Sequence, residues 1–360
     1  MGKAAAARKL ASAAAYGGGG LSLLGAGLYG VLVTEAKLAR RTIGGPHDHP
    51  PPDATGWYGR RRPGPAIKVA LLGDSSAAGY GVDRVEETPG AYLASGIAER
   101  ADRRVYLREF AVVGAQSSHL HTQVDAALPI EPDLAVILIG ANDVTHTVLP
   151  SQSVRHLSEA VRRFIEAGTK VLVGTCPDLG TIRPIAPPLK QVARTWSRRL
   201  AAAQTIAVVE SGGRSVSLGS ILGPEFDAAP AVLFGPDQFH PSAEGYAQMA
   251  AVMVPSALAT LGLIPEAEAE PEAFRGEGVL PISDAAVEAA RTPGTEVGGT
   301  ELAGMLRGVK GRWAMLRHRR RQPAGTAETP APEETEETAE TAEADTDAHT
   351  DAGTDPEPAT

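Results

Sequence analysis

An α/β domain with a parallel sheet covered on both faces is predicted between Ile67 and Leu263. Two observations predict it. Short runs rich in Val, Ile and Leu recur along this stretch, and segments with apolar residues at helical spacing separate them. In order, IKVALL from Ile67 is the first strand, VYLREFAV from Val105 the second and LAVILIG from Leu134 the third. KVLVGT from Lys170 and IAVVE from Ile206 complete the set. The helical segments between them include PGAYLASGIAERA from Pro89, SVRHLSEAVRRFIEAG from Ser153 and QVARTWSRRLAAAQ from Gln191. No internal repeat is visible.

The flanks read differently. Leu10–Thr34 holds no charged residue and is long enough to span a bilayer. Residues 1–36 are therefore expected to be an uncleaved membrane anchor, with a cleaved signal segment as the rival. Lys3, Arg8 and Lys9 precede the run and Lys37, Arg40 and Arg41 follow it, so the charge balance selects neither orientation. The side of the membrane stays open, and cleavage would make the protein secreted. Residues 37–66 read as a Pro/Gly-rich linker. His47 and His49 in it lack the further ligands that a metal site needs. Residues 264–300 read as a second, charged linker and residues 301–321 as a basic amphipathic helix, a second candidate contact with membrane.

The 360-residue chain has a net charge of −9. Twelve Asp or Glu and no Lys or Arg lie between Gln322 and Thr360, so the rest of the chain is slightly basic. Residues 322–360 are expected to be a disordered acidic tail. The arginine runs at Arg60–Arg62 and Arg317–Arg321 have no interleaved aromatic residues, so no nucleic-acid partner is expected. One cysteine, Cys176, excludes an internal disulfide.

The chemistry gathers at the strand ends, where ligands collect in open parallel sheets. The first strand runs into Gly73-Asp74-Ser75, which places a hydroxyl among small residues at a strand tip. Far downstream, Asp237 and His240 are two residues apart on a stretch that precedes Pro241 and an apolar-periodic helix. That spacing lets a carboxylate hold one imidazole nitrogen and leave the other free as a base. Gly114 follows the second strand, and Gly140, Asn142 and Asp143 follow the third. A glycine lets a backbone N–H approach a substrate, and an asparagine amide donates without charge. With the Ser75 N–H these groups can hold an oxyanion.

Gly73-Asp74-Ser75 with Gly79, then Gly114, then Gly140-Ala141-Asn142-Asp143, then Asp237 to Pro241, resemble in order the four blocks of the SGNH, or GDSL-type, hydrolase family. The resemblance covers about Ile67 to Leu263. It implies a three-layer α/β/α sandwich around a five-stranded parallel sheet, of flavodoxin-like type. It implies Ser75 as nucleophile, His240 as base, Asp237 as its orienter, and Ser75, Gly114 and Asn142 as the oxyanion hole. It implies a serine esterase or lipase acting on a small ester, a lipid or an acylated glycan, with no cofactor and no metal. Asp74 reads as structural. An O-acyltransferase would use the same residues, and a catalytically idle membrane-tethered binding module is the reading from another class. Gly-x-Ser-x-Gly is absent around Ser75, which disfavours the nucleophile-elbow hydrolases.

Overall fold

The computed structural model describes residues 27–39, 41, 50–182, 184–219, 230–264, 271, 275–292, 294–300, 307–308, 311–319 and 325–333. Helix α1 covers residues 27–39. The edge strand β1 (Gly56–Tyr58) leads to β2 (Ile67–Gly73), α2 (Pro89–Ala101) and β3 (Val105–Glu109). Then come α3 (Leu120–Ala127), β4 (Leu134–Leu138), the short α4 (Ala141–Thr145), α5 (Pro150–Glu166) and β5 (Lys170–Gly174). They are followed by α6 (Leu189–Glu210), β6 (Arg214–Val216), α7 (Pro230–Leu233) and α8 (Ala243–Thr260). Beyond them lie β7 (Gly278–Pro281), α9 (Ile282–Arg291), β8 (Thr295–Thr300), β9 (Arg307–Gly308) and β10 (Gly311–His318).

The sheet order is β1-β3-β2-β4-β5-β6-β8-β10-β7, with β9 paired to β10. Its centre, β3-β2-β4-β5-β6, is parallel throughout. This is the expected five-stranded parallel core, extended by antiparallel strands at both edges. The chain leaves β2 toward β3 and returns to β4 on the other side of β2. The direction of winding therefore reverses beside β2, where open α/β sheets form their ligand crevice.

Successive residues of β2 face opposite layers. Val69 and Leu71 pack with Leu93 and Ile97 of α2 and Met249 and Met253 of α8. Ala70 and Leu72 pack with Leu120 and Val124 of α3, Leu157 and Phe164 of α5 and Val208 of α6. Burial on both faces explains why this strand is an unbroken apolar run. Caps fix the helix starts: the Thr88 hydroxyl accepts from Ala91 N at 3.2 Å, and the Ser242 hydroxyl from Gly245 N at 3.2 Å.

Several sequence expectations are corrected. IAVVE is not a strand but the end of α6, and the fifth parallel strand is Arg214–Val216. The run is apolar on two sides because Val208 faces the sheet while Ile206 and Val209 face α9 and β10. The expected linker over 264–300 contains β7, α9 and β8. The expected basic helix over 301–321 contains β10, which pairs with β8 and β7. There Ala314 and Leu316 are buried and their neighbours are half-buried, the period of a strand. Gly304, Gly308 and Gly311 already weaken a helical reading of that stretch.

The linker expected over 37–66 contributes β1, whose Tyr58 is fully buried. Part of the tail expected to be disordered is docked on it. Trp57 and Ala331 exchange backbone bonds of 2.9 and 3.0 Å, and Gly59 N donates to Glu328 Oε2 at 2.8 Å. This contact covers an otherwise open sheet edge. Residues 334–360 lie outside the described residues, as do residues 1–26, which include most of the expected anchor. Among the described residues no helix is long and apolar enough to cross a membrane.

Candidate active site

The nucleophile turn is built around one backbone crossing. Gly73 has φ of 142°, and a Cβ on it would lie 1.9 Å from the Leu138 carbonyl oxygen. Only glycine lets β2 end this close to β4. Asp74 N donates to that same oxygen at 3.0 Å. The Gln123 side chain of α3 grips Gly73 at both backbone groups, accepting from its N–H at 2.8 Å and donating to its carbonyl at 2.9 Å. Asp74 is buried and its Oδ1 accepts from Ser76 N at 2.9 Å. The turn holds Ser75 off the end of the sheet.

The base comes from the loop before α8. Gln238 takes the left-handed conformation, φ 54°, which curls the chain between Asp237 and His240. Asp237 Oδ1 accepts from Phe239 N and His240 N, each at 3.0 Å. Its Oδ2 lies 2.6 Å from His240 Nδ1, and His240 Nε2 lies 2.9 Å from Ser75 Oγ. With the Nδ1 proton given to the carboxylate, Nε2 is free to accept from the serine hydroxyl. Partial burial works against ionisation of Asp237, yet the bonds from His240 and from Phe239 N hold its carboxyl below the usual range. The Tyr80 ring packs on the imidazole at 4.5 Å and Phe239 meets it edge-on at 4.8 Å. Tyr246 in turn fixes Tyr80, its hydroxyl donating to the Tyr80 carbonyl at 2.7 Å.

Three candidate donors lie after neighbouring parallel strands. Ser75, Gly114 and Asn142 follow the C-terminal ends of β2, β3 and β4. Neither the Ser75 nor the Gly114 N–H has an acceptor among the described residues. Gly114 is exposed with φ of 81°, and no atom lies within 4 Å of where a Cβ would stand. Asn142 sits in the first turn of α4, and its Nδ2 donates to the Ala115 carbonyl at 3.1 Å. One amide hydrogen remains for a substrate oxygen.

Replacing Asn142 by Ala is expected to lower kcat on the order of 100-fold or more with little change in KM. Steady-state kinetics checks this, and a change confined to KM would contradict it.

The sequence names Ser75, Gly114, Asn142, Asp237 and His240, but not what their supports do. Asp143 is buried and accepts from Ser117 N at 3.2 Å, from the Ser117 hydroxyl at 3.0 Å and from the Ser153 hydroxyl at 2.9 Å. Asn142 and Asp143 together bolt the loop that carries Gly114 to α4. Gln204 of α6 plays a similar part, accepting from Cys176 N at 2.7 Å and donating to the Ile139 carbonyl at 2.9 Å. A glutamine among apolar residues of a helix was the available signal for Gln123 and Gln204, because buried amides require partners.

A mainly apolar cavity opens beside the turn, lined among others by Asp74, Ser76, Ile139, Leu179, Ile182 and Phe239. Leu179 and Phe234 line it, whereas Gln116 and Val144, which also follow strand ends, do not. His119 and His146 are engaged elsewhere, His119 Nδ1 accepting from Gln116 N at 3.1 Å and His146 Nδ1 donating to the Asn142 carbonyl at 2.9 Å.

Burial pushes the Asp74 carboxyl up to about 6, opposed by its bond from Ser76 N. The folded state therefore holds this proton above the usual carboxylate range. The stability this contributes is full at low pH and is lost as pH rises through about 6. Asp74→Asn keeps an acceptor for Ser76 N and removes the buried charge. It is expected to raise Tm by several degrees at pH 8, the equivalent of roughly 3 kcal/mol, and to leave Tm unchanged near pH 4. Thermal melts at the two pH values test it, and an equal effect at both would contradict it.

The GDSL-like Lipase/Acylhydrolase family model matches residues 71–248. The GDSL-like esterase Rv1075c of Mycobacterium tuberculosis is 43% identical over 249 residues, which cover 66% of this chain and 78% of that protein. Among solved structures, the acetylxylan esterase Axe2 from Geobacillus stearothermophilus is 16% identical with a TM-score of 0.43, covering 54% of this chain and 94% of that one. The lipase/acylhydrolase from Enterococcus faecalis is 20% identical with a TM-score of 0.43, covering 53% and 94% respectively.

Proposed function

The chain belongs to the GDSL-like lipase/acylhydrolase family and is a carboxylic ester hydrolase, and from this we propose that it works through an acyl-enzyme on Ser75. The observation that carries the proposal is the continuous relay from Ser75 Oγ to His240 Nε2 at 2.9 Å and from His240 Nδ1 to Asp237 Oδ2 at 2.6 Å. His240 takes the hydroxyl proton as Oγ attacks the ester carbonyl carbon. The carbonyl oxygen becomes an oxyanion, held by the Ser75 and Gly114 N–H groups and the Asn142 amide. Collapse breaks the bond to the alcohol oxygen, which leaves with the proton from His240. Water then attacks the acyl carbon, giving its proton to His240, and Ser75 is regenerated as the acid departs. Asp237 remains ionised throughout and stabilises the imidazolium.

The acyl part of the ester enters the apolar cavity beside Ser76, Leu179 and Phe239. Nitrophenyl esters from acetate to palmitate, offered to wild type and Ser75→Ala, test the reading. Ser75-dependent turnover supports it, and turnover that survives the substitution refutes it.

The uncharged run Leu10–Thr34 tethers the enzyme to a membrane in this reading. The full chain is expected to sediment with membranes, and removal of residues 1–26 to release it. Recovery of the full chain in the soluble fraction would contradict the tether.

A further inference from the structure

We propose that the catalytic face is itself a membrane-docking surface, so that this esterase draws its substrate from a lipid bilayer. The inference rests on the active site and the tether read above, and adds which face meets the lipid.

It starts from where apolar surface is left uncovered. Val112, Val113, Leu149, Val192 and Val232 are all exposed, by between 41% and 57%. Each lies between the C-terminal end of a parallel strand and the first turn of a following helix. Val112 and Val113 follow β3 and precede Gly114; Leu149 immediately precedes α5; Val192 is in the first turn of α6; Val232 is in α7, between β6 and α8. In a parallel α/β sheet these places share one edge, the edge that carries Ser75.

The helix α1 brings further apolar side chains, Leu28, Tyr29 and Val31, all exposed. Among the described residues, Val287 on α9 is the exposed large apolar side chain that lies away from the catalytic edge and α1. Single exposed apolar residues are ordinary on any protein. Their concentration along one edge of the sheet marks a docking site instead.

The chain itself indicates the occupant. Helix α1 contains the end of the uncharged run, whose earlier part lies outside the described residues. It is docked at the rim, where Glu35 Oε2 accepts from Leu189 N, the first residue of α6, at 2.9 Å. A segment suited to lipid therefore enters the fold beside the active-site mouth. Lys37 and Arg41 are exposed, and Lys190, next to Leu189 at the α1 contact, is half-buried; cations of this kind suit phosphate headgroups. A bilayer meeting this face covers the apolar rim and presents acyl esters to Ser75 without their passage through water.

Site-specific labelling tests the geometry without depending on turnover. Cys176 is the sole cysteine and is buried, so a fluorophore sensitive to polarity can be placed at one new cysteine in the full chain. On phosphatidylcholine–phosphatidylglycerol vesicles, labels at Leu149→Cys and Val192→Cys are expected to shift to the blue and brighten. A label at Val287→Cys is expected to do neither. The same response at all three positions, or none at 149 and 192, would overturn the proposal.

A kinetic arm separates it from the reading of the active site. The double variant Leu149→Asp/Val192→Asp is expected to hydrolyse a soluble nitrophenyl ester at the wild-type rate. Its turnover of an ester embedded in vesicles is expected to fall at least about tenfold. An equal rate on both substrates would overturn the docking surface alone, whereas no Ser75-dependent turnover of the soluble ester would overturn the active-site reading.

Discussion

Ser75→Ala is expected to leave a folded protein whose ester hydrolysis is lower by at least about 10⁴-fold. In the proposed mechanism the hydroxyl is the group that bonds covalently to substrate, and in the folded protein it donates to His240 Nε2 at 2.9 Å. Removing it leaves the turn intact, because that turn is held by other atoms. The Gly73 clamp from Gln123, the Asp74 bond to the Leu138 carbonyl and the Ser76 bond to Asp74 all survive. Circular dichroism and a thermal melt should therefore match wild type while nitrophenyl ester turnover disappears. Near-normal turnover from such a folded variant would remove Ser75 from the mechanism.

Asp237→Asn is expected to cost on the order of 10⁴-fold in kcat. The geometry says why so small a change matters. Oδ1 already accepts two backbone N–H groups, from Phe239 and His240, and an asparagine must keep its carbonyl oxygen there. Its NH₂ then points at His240 Nδ1, where the carboxylate oxygen lay 2.6 Å away. Facing a donor, Nδ1 becomes the acceptor and the imidazole proton moves to Nε2. The nitrogen beside Ser75 then carries a hydrogen and cannot take another. Substrate binding is untouched, so KM should change little. A loss of only a few-fold would mean that Asp237 does not set the tautomer.

Much of the central fold was legible because burial on both faces of a parallel sheet writes itself as unbroken apolar runs. β2, β3, β4 and β5 are found where their Val and Leu content indicated. The fifth strand was not, because α6 is itself buried on two sides and its IAVVE end has no polar face. The strands β7, β8 and β10 were missed for the opposite reason. β7 has only four residues, β8 carries Gly298 and Gly299, β10 carries Arg312 and Arg317, and the identity of all three depends on pairing with one another, which no local pattern encodes. The docked stretch 325–333 is legible only through its partner β1, since its own composition carries almost no apolar signal.

In the candidate site, the residues with direct chemistry were legible because serine, histidine, aspartate and asparagine stand out at strand ends. The structure brings Asp237, His240 and Ser75 into one hydrogen-bonded line across 165 residues of sequence between Ser75 and His240. Asp143 stands in the third block and Gln123 and Gln204 stand out on their helices, but what the three hold was not legible, because each acts on backbone or hydroxyl groups far away in sequence.

The most direct test of the central claim is to treat the full chain with a fluorophosphonate and locate the product by peptide mass spectrometry. Attack by Ser75 Oγ on phosphorus, with loss of fluoride, should add one phosphonyl group to the peptide that contains Gly73-Asp74-Ser75. The adduct should be absent from Ser75→Ala and form far more slowly in Asp237→Asn. An adduct on any other residue, or none on an enzyme that still turns over esters, would contradict a Ser75 acyl-enzyme.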